Sequence, residues 1–182
     1  GARLNATFND PRGLAVDSQG NLYVAEATGG KIRKITRASG TVTRLAGSGT
    51  LSILDGTGTG ANFLLPYNII IDPTEKFLLV MEPTACMVRK LDLATTQVTT
   101  VAGSSCGPIQ DGLGTAAKLG CESGIFDDYG NLYVGGVNSV ARLSPVGNVY
   151  YVENIGGSDS SGSVNGVGVN ARFSGVRGMV SR

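Results

Sequence analysis

The sequence predicts an all-β chain of four-stranded antiparallel sheets, each formed by a short unit that recurs along the chain. Three observations carry this expectation. Short strand-forming runs alternate with tight-turn residues, the whole unit repeats, and several strands are apolar without alternation. The most complete unit runs from Pro11 to Gly47, PRGLAVDSQGNLYVAEATGGKIRKITRASGTVTRLAG.

Within that unit, Gly13 to Val16 form an apolar run that ends at Asp17, and Asp17-Ser18-Gln19-Gly20-Asn21 separate it from a second run, Leu22 to Ala25. Asp17 can accept from backbone amides two residues on, and Gly20 supplies the positive φ that closes such a hairpin. Tyr23, Val24, Ile32, Ile35, Val42 and Thr43 suit a pleated, half-buried surface, and the breaks at Gly29-Gly30 and Ser39-Gly40 leave no room for a helix. The expected strands are residues 12–17, 21–27, 31–36 and 41–47.

The unit returns as PYNIIIDPTEKFLLVMEP with MVRKLDLATTQVTTVAG, then as SGIFDDYGNLYVGG with SVARLSPVGNVYYV, and last as the fragment VRGMVS. Asp72 and Asp127 take the turn position of Asp17, and Gly130 that of Gly20; Glu75-Lys76 replace the turn Gly-Asn in the second unit. A second signature marks the joints: DGTGTGANF from Asp55-Gly56, DGLGTAAKL from Asp111-Gly112 and NGVGVNARF from Asn165-Gly166. Joints that recur about every 55 residues indicate repeated supersecondary modules rather than one irregular domain.

Ile69 to Ile71 and Phe77 to Met81 are uninterrupted apolar runs, whereas a sheet with one wet face alternates. Strands of this kind are expected to be covered on both faces. Blades stacked around an axis provide that cover, which is the architecture of a β-propeller.

On the progression PRGLAVD, GNLYVAE and KIRKI the chain resembles the NHL-repeat family, whose repeats fold as propeller blades. The resemblance covers nearly the whole chain and is strongest in the first unit. In the third, Gly136 stands where the others carry Glu26 and Glu82. It implies blades at residues 1–50, 51–105 and 106–162, with 163–182 beginning another. Propellers usually have about four to eight blades, so an incomplete ring is expected in this chain. The reading adopted is a fragment of a longer polypeptide, with a half-ring that dimerises into six blades as the alternative.

A net charge of +1 does not make the basic footprint of a nucleic-acid or anionic-membrane partner. Arg33, Lys34, Arg89, Lys90 and Arg142 recur on the third strand of each unit and are expected on a solvated outer strand. Tryptophan is absent and aromatics are 6%, so stacking platforms for RNA are few, although some relatives implied by the resemblance bind it. No apolar run reaches the 18 or so residues that span a bilayer, and no signal-peptide pattern opens the chain.

Cys106 and Cys121 flank the second joint, and a disulfide between them is expected to pin the crossing; three unrelated buried thiols are the alternative, and Cys86 is left over. Asn5-Ala6-Thr7 is an N-glycosylation sequon.

The chain contains no histidine, which removes the usual general base and the commonest zinc ligand. Asp127-Asp128 is read as turn chemistry, and the Asp55 and Asp111 joints as Asx-type turns, since they lack the alternating carboxylates that surround calcium. No catalytic, metal or cofactor residues are assigned. The function expected is a non-enzymatic module of an extracellular or cell-surface protein, with a cytoplasmic location as the alternative. Its loops would contact protein or glycan, around Thr28 to Gly30, Pro83 to Ala85 and Ser158 to Ser163. Expected partners are further blades, in the same chain or an oligomer; no nucleic acid or membrane insertion is expected. The resemblance leaves a metal-dependent lyase or hydrolase, with its catalytic residues in other blades, as the alternative. The tract Gly156 to Gly162 is expected to be a flexible insertion.

Overall fold

The computed structural model describes residues 5–107, 109–158, 160–176 and 178–179. The first sheet contains β1 (Pro11–Val16), β2 (Leu22–Glu26), β3 (Lys31–Ile35) and β4 (Val42–Ala46) in sequential antiparallel order. Its bounds fall within a residue of the expected ones. The second adds a short outer strand, β5 (Gly56–Thr57), to β6 (Asn68–Ile71), β7 (Phe77–Glu82), β8 (Met87–Asp92) and β9 (Gln97–Ala102), in the order β5-β9-β8-β7-β6. The third repeats that plan with β10 (Gly112–Leu113), β11 (Ser123–Phe126), β12 (Leu132–Gly135), β13 (Ser139–Val146) and β14 (Val149–Gly157), in the order β10-β14-β13-β12-β11.

Each five-stranded sheet is therefore completed at its outer edge by residues that precede its innermost strand. Gly56 and Thr57 pair with Val98 and Gln97, and Gly112 and Leu113 pair with Val152 and Tyr151. The joint signature encodes this outer strand and the 3-10 turn after it, at Gly58–Gly60, Gly114–Ala116 and Gly168–Asn170.

The chain divides into two compact units, Gly1–Glu82 with Lys90–Thr99, and Pro83–Arg89 with Thr100–Arg182. In the first, Tyr23, Ile32, Phe63, Ile69, Leu78 and Val98 form a buried core. Leu78, Leu79, Val80 and Met81 are all fully buried, so β7 is covered on both faces. Close strand approach requires Gly13: a Cβ there would lie 2.7 Å from the Ile69 amide and 2.9 Å from the Tyr67 carbonyl.

A glycine with positive φ stands at or just after the end of the last long strand of each sheet, at Gly47, Gly103 and Gly157. A large apolar side chain from the following joint sits against it. A Cβ on these glycines would meet Phe63 at 3.0 Å, Leu119 at 2.6 Å and Phe173 at 2.8 Å respectively. Phe63 is fully buried, and truncating such a side chain to alanine costs about 3–5 kcal/mol. The plug therefore couples each joint to the sheet before it.

Candidate functional site: loop-end grooves and the turns that frame them

The hairpin turns are built as carboxylate cages. Asp17 accepts from the Asn21 amide and side chain, both at 2.8 Å, and from the Tyr23 hydroxyl at 3.2 Å. Burial raises the Asp17 carboxyl, but the Asn21 and Tyr23 hydrogen bonds and the Lys34 charge outweigh it and hold it below its ordinary value. Asp127 repeats the cage with Asn131, whose side-chain bond is the largest cause of its own lowered value. Asp72 accepts from the amides of Thr74, Lys76 and Phe77, so its turn closes on different partners. Gly20 and Gly130 lie at φ 79° and 81°.

At the joints, Gly56, Gly112 and Gly166 are held by close backbone approach. Added Cβ atoms would lie 2.8 Å from the Gly60 carbonyl oxygen, 3.2 Å from the Ala116 carbonyl carbon and 2.8 Å from that of Asn170. Asp111 does not close a local Asx turn; its carboxylate accepts from the Asn154 amide on β14 at 2.8 Å. It ties the outer edge of the sheet to the joint. Asp55 and Asn165 are exposed at the corresponding places, and Asn5 is exposed ahead of β1.

The disulfide joins Cys86 to Cys106, not Cys106 to Cys121, with their Cα atoms 5.1 Å apart. Cys121 is a buried thiol outside the disulfide and donates to the Met87 carbonyl at 3.2 Å. The reason is the meander itself, which returns the end of the fourth strand to the turn between the second and third. In the first unit, a Cβ on Gly47 would meet the Gly30 carbonyl at 2.3 Å; its counterpart Gly103 would meet the Cys86 carbonyl at 2.2 Å. Cys86 takes the place of Gly30 and shares its left-handed backbone, φ 54° against 57°. Cys106, three residues past Gly103, is thereby brought to Cys86.

Within the second unit the bridge forms one wall of a groove with a volume of about 510 Å³. Ile109 and Val137 continue the apolar lining, and Asn138, Ser139 and Ser158 supply amide and hydroxyl groups. No described lining residue is charged. Val137 is exposed, at 57%. Pro83 and Ser158 thus bring two of the expected contact loops together. The tract from Gly156 departs from the expected flexible insertion, because Gly156 and Gly157 are buried at the end of β14; Asp159 lies outside the described residues.

The basic third strands also differ from expectation. β3, β8 and β13 are interior strands of their sheets, and their cations range from the fully buried Arg89 to the half-exposed Arg142 rather than lining a solvated outer edge. Arg33 pairs with the nearly buried Glu26 at 2.9 Å, and Glu26 also accepts from the Asn9 amide. Arg89, in the place of Arg33, is fully buried. Glu82, in the place of Glu26, is fully buried and accepts from the Leu64 amide. In the third sheet both positions change together, to Gly136 and Ala141, while Arg142 takes the place of Lys34 and bonds Glu153. The paired change in the third unit was the signal available in the sequence.

These blades place the chain among β-propeller structures. The NHL-repeat family profile matches residues 8–34, within the first sheet. No curated protein sequence matches the chain. Among solved structures it is similar to a protein of unknown function from Bacteroides thetaiotaomicron, with TM-score 0.70 and 18% identity over 92% of this chain and 41% of that one. An auxiliary nutrient binding protein from Bacteroides ovatus aligns with TM-score 0.67 and 24% identity, over 92% of this chain and 42% of that one. A streptogramin B lyase aligns with TM-score 0.57 and 13% identity, over 88% and 45%. The chain spans less than half the length of each.

Proposed function

We propose that this chain is a non-enzymatic binding segment of a larger extracellular or cell-surface propeller, and that it contacts protein or glycan through the groove beside Cys86–Cys106. The observation that carries the reading is the lining of that groove. Apolar walls supply area, and the amide and hydroxyl groups of Asn138, Ser139 and Ser158 can orient an uncharged ligand. The disulfide tethers one wall, which reduces the ordering cost of binding. It also suits an oxidising compartment, as would glycosylation at Asn5. Two solved structures of this fold are auxiliary nutrient binding proteins, which is consistent with a binding role.

The test is to screen the full chain against neutral glycans and extracellular protein fragments, then to compare Val137→Asp and Ser139→Tyr variants. Saturable binding that both variants abolish, with melting temperature retained, is the expected result. Binding that neither variant changes would overturn the groove assignment.

A further inference from the structure

We infer that the first blade carries a second, chemically different site: an oxyanion pocket formed by Lys34 and Arg37 with Gln19 and Thr36, suited to a sulfate- or phosphate-type group. It lies in the other compact unit, beside the Asp17 turn, and is an open depression with a volume of about 510 Å³. It is independent of the uncharged groove.

The donors point to the ligand class. Arg37 is exposed and makes no carboxylate pair among the described residues. Its side chain lies across Gly20, where an added Cβ would come within 2.7 Å of Cδ and 3.1 Å of a guanidinium nitrogen. The Arg37 amide donates to Asn21 at 3.0 Å, which ties the start of this loop to the turn. Lys34 is half-buried, with its ammonium 5.4 Å from the Tyr23 ring centre. Gln19 and Thr36 add an amide and a hydroxyl to the lining. Two carboxylates lie nearby, Asp17, which acts on Lys34, and Glu75, which acts on Tyr23; their hydrogen bonds go to Asn21 and Tyr23 and to Ser18, and neither forms an ion pair with Lys34 or Arg37 among the described residues. A guanidinium and an ammonium beside neutral donors match a multi-oxygen anion, because bonds to charged groups are the stronger ones.

The set is particular to this blade. At the places of Thr36 and Arg37 the second blade carries Asp92 and Leu93, and the third carries Ser144 and Pro145. Lys90 survives in the second but lies over Phe77, 4.5 Å from the ring centre, whereas Arg142 in the third is bonded to Glu153. The three blades differ at these positions, and the first pairs two cations with neutral donors.

The experiment titrates the full chain with inorganic sulfate, with a sulfated disaccharide and with its desulfated counterpart, following the backbone resonances of Gln19 and Arg37 and the heat of binding. Saturable binding of a sulfated probe is expected, weakened about tenfold in Arg37→Gln and in Lys34→Gln and unchanged in Arg44→Gln, a basic position on β4 outside the pocket. Comparable affinity for inorganic sulfate and the disaccharide would assign the site to the free anion; preference for the disaccharide would assign it to an ester on a glycan. Equal loss in Arg37→Gln and Arg44→Gln, equal binding of the desulfated sugar, or no saturable binding would overturn the pocket. Val137→Asp leaves this binding intact whether or not the uncharged groove has a ligand, so the two assignments fail separately.

Discussion

The Ser18 amide and hydroxyl both donate to the Glu75 carboxylate, at 2.6 and 2.8 Å, joining the turn of the first blade to that of the second. Glu75 occupies the place of Gly20 and Gly130 and has φ 56°. A non-glycine residue in that conformation costs about 1–2 kcal/mol. The side chain offsets this by a contact that glycine could not make.

A double-mutant cycle on Ser18→Ala and Glu75→Gln should give a coupling of about 0.5–1 kcal/mol, as expected of an exposed charge-assisted pair. Glu75→Gly should be nearly neutral, since relief of the backbone compensates for the lost clasp. Additive unfolding free energies would show that the two turns are not coupled.

Peptide mapping without reductant should recover Cys86 linked to Cys106 and Cys121 as a thiol alkylated only after unfolding. The sequence separation of 20 residues corresponds to about 3 kcal/mol in the chain-entropy treatment. Cys86→Ser with Cys106→Ser should lower stability by that order. Recovery of Cys121 in the bridge would refute the pairing.

Removing one member of the Glu26–Arg33 pair should be worse than removing both. Glu26→Ala removes the carboxylate beside a half-buried guanidinium, and because only the Glu26 side is fully buried the cost should fall below the roughly 3–5 kcal/mol of a wholly buried pair. Glu26→Gly with Arg33→Ala reproduces the Gly136 and Ala141 arrangement and should cost less than the two single changes summed. Strict additivity in denaturant melts would count against the pair as a unit.

Two titrations should bracket the stability of the first turn. Burial, and secondarily the Asp17 charge, raise the Tyr23 hydroxyl from 10.0 to about 12. Because the folded state holds this proton more tightly, its contribution is full below pH 10.0 and is lost as pH rises toward about 12. Asp17 lies below 3.8, as Asp127 does in the turn of the third sheet, so its contribution is present above that value and is lost as pH falls through the lowered folded value. Ultraviolet titration of tyrosine ionisation should show a late group that Asp17→Asn brings earlier. An unshifted titration in that variant would separate Tyr23 from the cage.

Much of the fold was legible because its causes are local. Asp17 with Asn21, glycine at positive φ and short β-branched runs act within a few residues. The joint signature was visible too, but its meaning was not. Gly56 and Gly112 form outer strands whose partners, Val98 and Val152, lie some 40 residues on, and no local pattern announces so distant a pairing. The third-strand cations were misplaced for a related reason. Arg33 and Arg89 carry the composition of an exposed edge, whereas burial is set by the strands on either side.

By itself the sequence determined an all-β repeat chain of propeller blades, their turns and their joints, because periodicity and turn stereochemistry are properties of neighbouring residues. Only the tertiary structure decided that Cys86 meets Cys106, that Glu26 and Arg33 are buried together, and that Lys34, Arg37, Gln19 and Thr36 surround one pocket. Those outcomes depend on which strand ends and turns the meander brings side by side, and that proximity is a product of packing.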